Sequence, residues 1–441
     1  MRQSKGLCYL SGIDRVFYVL DQLSKKATGC GNASQVILCL DRSLDAGEIR
    51  QQLSAFARLF PVIHAVCVRA WNLAPFWSYP EKTLEDIPFE SMTALSDEAA
   101  MASLHACVNQ PFMHARMHLR MVQVTVGDHA FVSLVFDHRL LDARGAQSFL
   151  RLFHQFSSGT FSLPQPFRPE RPSGLSLWKE KFMAGQRVNR RFVDLAGHGA
   201  VEHLPVPREL NGRKFVFRTL TFDRVQSERM TEQAYDTAGY LMMAPYLLAV
   251  SAVAFKEIFA KNLSEGENFV VPVNTDIRSR NPGLPELFFN HLSFFFLRFL
   301  SKDIALTRSF ISQVSRSMYE AMSGGFAQDL AQATLLLRVV PSFLTDTVQR
   351  ALLRVKGLTF SFSYVNKGYE GVEFSGAQVK GVVHTPRVAV TPGVGIFFTQ
   401  FNGCISLTFS FLEGLVTEQA ADLFIDKVRT FFDERDFSEK K

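Results

Sequence analysis

Two hydrophobic periods alternate along the chain. The run 35–40 (QVILCL) is almost continuously apolar and reads as a buried strand, whereas 44–60 sets Ile49, Leu53, Phe56 and Phe60 three or four apart, the spacing of one helix face. Asp45 opens that helix and Pro61 stops it, because proline cannot continue the turn. A strand over 62–70 and a helix over 97–108 follow. The apolar runs 119–126 and 131–136 meet at Gly127-Asp128, a hairpin signal, and 147–156 returns to helical spacing. Upstream of all these, Leu10-Ser11-Gly12-Ile13-Asp14 reads as a loop entering a short helix.

The connector 164–172 (PQPFRPERP) is proline-rich, and polar sequence continues to about residue 213. Beyond it the pattern predicts a strand at 214–222, helices at 223–237 and 242–261, and a strand at 269–274. The cluster Phe288-Phe289, Phe294-Phe295-Phe296 and Phe299 follows and reads as a buried strand, with a ligand wall as the alternative. Helices are then expected at 306–322, 328–340 and 344–356, strands at 358–365, 395–401 and 404–412, and a closing amphipathic helix at 417–432. The mixture is α/β. At 441 residues the chain exceeds one ordinary core, so the pattern divides it into a first lobe (1–172), a linker (173–213) and a second lobe (214–441).

Composition narrows the class. A hydrophobic fraction of 47% with 20% charged residues is that of a globular protein and excludes disordered or fibrous chains. Forty-two phenylalanines against nine tyrosines and three tryptophans supply aromatic bulk without polar handles, which suits a core or an apolar tunnel. The net charge of +6 is spread without a long basic block, and no nucleic-acid partner is expected; Arg187, Arg190 and Arg191 are the densest basic cluster. The apolar stretch 241–259 contains Pro245 and ends in Lys256 and Glu257, so a buried core helix is expected and no integral membrane segment. Six scattered cysteines without ligand-like spacing and an N-terminus without a signal core predict free thiols and a cytoplasmic setting.

The chemistry concentrates where the strand 131–136 breaks into Asp137-His138-Arg139-Leu140-Leu141-Asp142. A strand end is a rigid platform, and an imidazole with a pKa near ~6.5 takes a proton at neutral pH. General base and satisfied structural residue are both open for His138 on spacing alone. Asp142, four residues on, is expected to point into the fold and to need a cation, for which Arg278, at a strand end of the other half, is the candidate. Ser361 and Ser363 alternate with Phe360 and Phe362, so both hydroxyls face one side of a strand. Either can serve an oxyanion or be an ordinary strand serine. His114 and His118 have an i, i+4 spacing but no third ligand, so no metal is expected. No P-loop, GxGxxG or GxSxG pattern is present to support nucleotide or hydrolase chemistry.

Asp137-His138-Arg139-Leu140-Leu141-Asp142-Ala143 resembles the HHxxxDG motif of the chloramphenicol acetyltransferase-like superfamily, which includes condensation domains, wax ester synthases and plant BAHD acyltransferases. Leu10-Ser11-Gly12-Ile13-Asp14 resembles the LSxxD of stand-alone condensation-like and wax-synthase-like members. Arg58-Leu59-Phe60-Pro61-Val62 and the stretch from Gln110-Pro111-Phe112 to Arg120 are similar to their RxFPV and PF…LR segments. Pro272 to Arg278 (PVNTDIR) resembles the second-lobe strand whose arginine pairs with the motif aspartate. Phe288-Phe289-Asn290 resembles FGN, and Ser363-Tyr364-Val365-Asn366 the SNVP strand. Asp137 stands in place of the first histidine, Ala143 and Phe289 in place of glycines, and the BAHD DFGWG motif is missing.

The resemblance implies two acetyltransferase-like lobes in a V-shaped pseudo-dimer with the active-site tunnel between them. It implies acyl transfer from a thioester, on coenzyme A or a carrier protein's phosphopantetheine, to a hydroxyl or amine on an apolar acceptor, with no permanently bound cofactor. His138 would be the base, Ser363 an oxyanion donor, Asp142 and Arg278 a structural pair, and Asp137 and Asn290 further motif positions. The alternative is a catalytically silent relative that binds a carrier domain or a lipid.

Overall fold

The computed structural model describes residues 7–70, 75–80, 86–169, 171, 178–197, 199–239, 242–279, 283–337, 357–366, 369 and 371–433. Its strands form two six-stranded sheets and one small three-stranded sheet. In the first large sheet, β2 (Ala33–Leu40), β7 (His129–Asp137), β6 (Leu119–Val126) and β5 (Phe89–Thr93) lie side by side in that order. The β6–β7 hairpin turns at Gly127, whose φ of +52° suits glycine, and its register runs from Val126 opposite His129 to Leu119 opposite Phe136. The helices of this half are α1 (Gly12–Thr28), α2 (Ala46–Ala57), α3 (Asp97–Val108) and α4 (Ala143–Ser157). The small sheet joins β1 (Leu7–Tyr9), β4 (Pro75–Ser78) and β3 (Val66–Arg69).

The second sheet runs β10 (Leu292–Leu300), β9 (Asn268–Asp276), β11 (Ser361–Val365), β14 (Val394–Phe401), β15 (Cys404–Leu412) and β8 (Phe215–Thr221). Around it stand α6 (Arg224–Ala238), α7 (Met243–Phe259), α8 (Arg308–Ser323), α9 (Phe326–Leu337) and α10 (Glu418–Asp433). The apolar α7 buries Tyr246 to Phe255 without interruption and is a core helix of this lobe. Among the described residues no single helix is long and apolar enough to cross a membrane. Phenylalanine fills both cores: Phe56 meets Phe60, Phe149, Phe153, Phe156 and Phe161 in the first lobe, and Phe424 meets Phe255, Phe259 and Phe409 in the second.

The linear division needs three corrections. Residues 173–213 are not simply a linker, since 178–196 form a helix, α5 (Trp178–Ala196), that packs on α9. Its apolar positions Val188, Phe192 and Leu195 are diluted by seven charged neighbours, which hid the helical period. Next, β12 (Glu373–Phe374) and β13 (Ala377–His384) come from the second half of the chain yet extend the first sheet, β13 lying antiparallel to β2. Phe288 and Phe289, finally, precede β10 rather than belonging to it. The helix expected at 344–356 lies outside the described residues.

The lobes touch through their helices as well. A Cβ on Gly12 of α1 would sit 2.2 Å from Thr334 Oγ1 and 2.7 Å from the Ala331 carbonyl of α9, so only glycine allows this crossing. It closes one side of the space between the lobes.

Candidate functional site

β7 ends at Asp137 and α4 begins at Ala143, leaving five residues for the turn. Its origin is pinned from both sides, the Asp137 N–H donating to the His118 carbonyl at 2.8 Å and the His138 N–H to the Asn32 carbonyl at 3.0 Å. Asp137 is buried and accepts from Arg139 Nη2 at 2.5 Å, His118 Nδ1 at 2.8 Å and the Arg139 backbone N–H at 2.9 Å. His118 Nε2 lies 2.7 Å from the Ala65 carbonyl, so both ring nitrogens face acceptors and each bond needs its own ring proton. Burial alone would raise the Asp137 carboxyl, but Arg139 and His118 hold it well below the usual carboxylate range. The residue standing for the motif's first histidine thus anchors the turn.

The His138 imidazole stacks on Phe17 of α1 with ring centroids 4.5 Å apart. Its Nδ1 lies 3.2 Å from Asn290 Oδ1, while Asn290 Nδ2 donates to the His138 carbonyl at 2.9 Å. The second bond fixes the amide's orientation, so Oδ1 can only accept and Nδ1 must carry the ring proton. Nε2 then holds the lone pair, and among the described residues it makes no hydrogen bond. Burial pushes the His138 pKa below the ordinary histidine range against the opposing pull of Asp142, so the ring is neutral at pH 7. A neutral ring with a fixed tautomer can take one proton, at Nε2.

Asn290 is itself held from the N-terminus. Ser11 caps α1 by accepting from the Asp14 N–H, Asp14 Oδ2 answers the Ser11 N–H at 2.8 Å, and its Oδ1 accepts the Asn290 N–H at 2.9 Å. Arg171 Nη1 neutralises the Asp14 carboxylate. The LSxxD stretch therefore positions Asn290, a role its spacing could not reveal. Phe289 has a φ of +72°, a left-handed conformation that favours the glycine of the FGN pattern. Its ring is kept there by Trp77, 6.1 Å away, and by the Arg171 guanidinium 5.2 Å from its centre. Ala143, where the other motif glycine is missing, is the first residue of α4 and has no positive φ.

Asp142 points away from the imidazole, as N-cap of α4. Its Oδ1 accepts from the Gly145 N–H at 2.8 Å and from Arg278 Nη2 at 2.7 Å, and its Oδ2 from the His291 N–H at 3.0 Å. Burial would raise this carboxyl, yet Arg278 and the two backbone donors bring it below the ordinary range. Arg278 is also tied to Asp276 Oδ1 and the Glu286 carbonyl, and Arg144 of α4 reaches Asp276 Oδ2 at 2.6 Å. A Cβ on Gly145 would come 2.6 Å from the Leu287 carbonyl, so the helix start packs directly on the second lobe.

His138 opens on a cavity of about 370 Å³ between the lobes. Its described walls come from α1 (Val16, Phe17, Leu20), α5 (Val188, Phe192), β10 (Phe294, Phe296), α9 and the segment 386–392. Alternate phenylalanines of β10 divide the labour, Phe294 and Phe296 facing the cavity and Phe295 and Phe299 the core. Of the two strand serines, Ser361 lines the cavity and Ser363 is not among its lining residues. Two residues along a strand are about 6.6 Å, enough to carry Ser363 past the wall.

No protein-family model and no curated protein matches this sequence. Solved structures do match by shape. The EpoB cyclization-docking bidomain of a nonribosomal peptide synthetase from Sorangium cellulosum superposes with a TM-score of 0.68 at 15% identity, covering 98% of this chain and 85% of that one. The first condensation domain of the CDA synthetase gives 0.67 at 15% identity over 98% and 96%. A trichothecene 15-O-acetyltransferase from Fusarium sporotrichioides gives 0.66 at 11% identity over 97% and 95%. The two sheets, the inter-lobe cavity and these superpositions together establish that the chain has the two-lobed chloramphenicol acetyltransferase-like fold of condensation domains.

Proposed function

We propose that the protein transfers an acyl group from a thioester, on coenzyme A or on a carrier protein's phosphopantetheine, to a hydroxyl or amine, with His138 as general base. The observation that carries this reading is the Asn290–His138 pair, which leaves the Nε2 lone pair unengaged on a residue that lines the inter-lobe cavity. The proton of the acceptor O–H or N–H passes to Nε2 as the oxygen or nitrogen attacks the thioester carbonyl. The tetrahedral intermediate collapses with loss of the C–S bond, and the imidazolium returns the proton to the leaving thiolate. Ser361, the strand hydroxyl on the cavity wall, or a backbone N–H steadies the oxyanion. The fold shared with condensation domains and an O-acetyltransferase supports this chemistry, and the phenylalanine and aliphatic walls suit an apolar acyl chain or acceptor.

His138→Ala should cost about 10²–10⁴-fold in thiol release from an acyl thioester at an unchanged melting temperature. Full activity in that variant would exclude the mechanism. The departures at Asp137, Ala143 and Phe289 favour a second reading, a silent protein that binds a carrier domain or lipid. Binding of an acyl-pantetheine thioester without thiol release in mixtures of alcohols and amines would select it.

A further inference from the structure

One row of side chains on α5 runs from the His138 cavity out into solvent. Residues spaced four, three and four apart share a helix face, and Trp178, Phe182, Gly185 and Asn189 form such a row. Gly185 and Asn189 line the cavity, with Phe192 further along the same helix. Asn189 is exposed although it lines the cavity, so the cavity opens to solvent along α5. Past that opening the row continues with two apolar rings, Phe182, 61% exposed, and Trp178, 51% exposed, neither of which belongs to a hydrophobic core cluster. Between the rings and the cavity stands Gly185. Glycine inside a helix costs stability relative to alanine, yet the φ of Gly185 is not positive, and an added Cβ would meet only Leu336 Cδ1, at 3.6 Å, an ordinary contact. Neither backbone nor helix packing demands glycine there. Its missing side chain leaves a notch in the row, between the cavity and Phe182.

We propose that the cavity takes an extended alkyl chain whose far end leaves it over Gly185 and lies against Phe182 and Trp178. Trp178 stands about 10 Å along the helix axis from Gly185, so only the end of a long chain reaches it. Covering the two rings removes apolar surface from water on both partners, and this favours long chains over short ones. The chain belongs to the thioester donor or to the acceptor, since either presents the same hydrocarbon to this face. The inference deepens the acyl-transfer reading and rests on it in placing the reacting head of the molecule at His138; the chain site itself stands on the row along α5.

The test is calorimetric titration with S-octanoyl- and S-dodecanoyl-pantetheine in one arm and with 1-hexanol and 1-decanol in the other, which tells a donor chain from an acceptor chain. In one arm the wild type should bind the longer probe at least about tenfold more tightly, the gain from four added methylenes even when they are half buried. Gly185→Leu fills the notch with a better helix former and should bring that ratio below about threefold at a melting temperature no lower than that of the wild type. The double variant Trp178→Ser/Phe182→Ser should lower the ratio likewise. Met183→Ser removes another exposed apolar side chain, about 100° round the helix from Phe182, and should keep the wild-type ratio. No chain-length gain in either arm overturns the proposal without any variant. A wild-type ratio in folded Gly185→Leu or in the folded double variant overturns it as well. Sedimentation with phosphatidylcholine–phosphatidylserine vesicles that is lost in the double variant, while its chain-length ratio stays that of the wild type, would give the face to a membrane instead. A ratio that depends on Gly185 without thiol release from either thioester would leave the chain site standing while the acyl-transfer reading fails. Thiol release without chain-length preference would sink the site alone.

Discussion

Asp137 and Asp142 are both buried carboxylates, five residues apart at the two ends of one turn, and they do opposite things. Asp137 turns back into its own lobe, where Arg139 and His118 surround it. Asp142 reaches across to Arg278, 136 residues away in sequence. The first holds the shape of the turn that presents His138, and the second ties that turn to the other lobe. His138 sits between a local anchor and a long-range one, so its place in the cavity depends on each lobe separately and on their alignment.

The largest expected effect separates the two anchors. Arg278→Met leaves Asp142 buried without its cation and should cost about 3–5 kcal/mol in denaturant unfolding. Because that bridge spans the lobes, the variant should also show a larger radius of gyration by small-angle scattering. Arg139→Met should lose comparable stability at unchanged radius. Equal radii in the two variants would erase the distinction between local and inter-lobe roles.

A smaller effect tests what connects the anchors to the base. Asn290→Ala removes the acceptor that fixes the His138 tautomer and should lower kcat by about 10–100-fold with little change in KM. The sign of the pH effect is also set. The Asn290 bond raises the His138 pKa against the stronger lowering by burial, so its loss moves that pKa further down. A base works when unprotonated, so activity falls as pH drops through the His138 pKa. In wild type this acidic limb should lie below about pH 6.5, and in Asn290→Ala it should shift to lower pH. A limb that moves upward would contradict the assigned tautomer.

The smallest effects compare the two missing glycines. Phe289→Gly relieves a left-handed φ worth about 1–2 kcal/mol but removes a buried ring worth about 3–5 kcal/mol, a net loss of about 2 kcal/mol. Ala143→Gly gains no conformational relief and should cost up to about 1 kcal/mol of helix stability. A more stable Ala143→Gly variant would show that the turn wants glycine there after all.

Much of this molecule was legible along the chain. Strands with strong apolar runs (119–126, 131–136, 404–412) and helices with a clean apolar stripe (44–60, 417–432) lie close to where their patterns placed them, because these strands are buried on both faces and these helices on one, and the pattern is the record of that burial. The strand exit at His138 and the charges at Asp142 and Arg278 were readable for the same local reason. The glycine pattern was misleading: a motif shows that a residue type is missing but not whether the backbone there needs it, and only φ distinguishes Ala143 from Phe289.

What the sequence determined by itself is the strongly patterned elements and the turn that carries the histidine, since both follow from interactions within a few residues. Tertiary structure decided the rest. β13 joins the sheet of the other lobe through hydrogen bonds to β2 that no local period encodes. Ser361 rather than Ser363 lines the cavity because the strand's position along its neighbours, not its alternation, selects which hydroxyl arrives there. The proton on Nδ1 and the lone pair on Nε2 depend on Asn290, 152 residues away, held in turn by Asp14, and the neutral ring depends on burial between the lobes' elements. A base acquires its tautomer from contacts across the fold, and such contacts exist only once the two lobes have closed on each other.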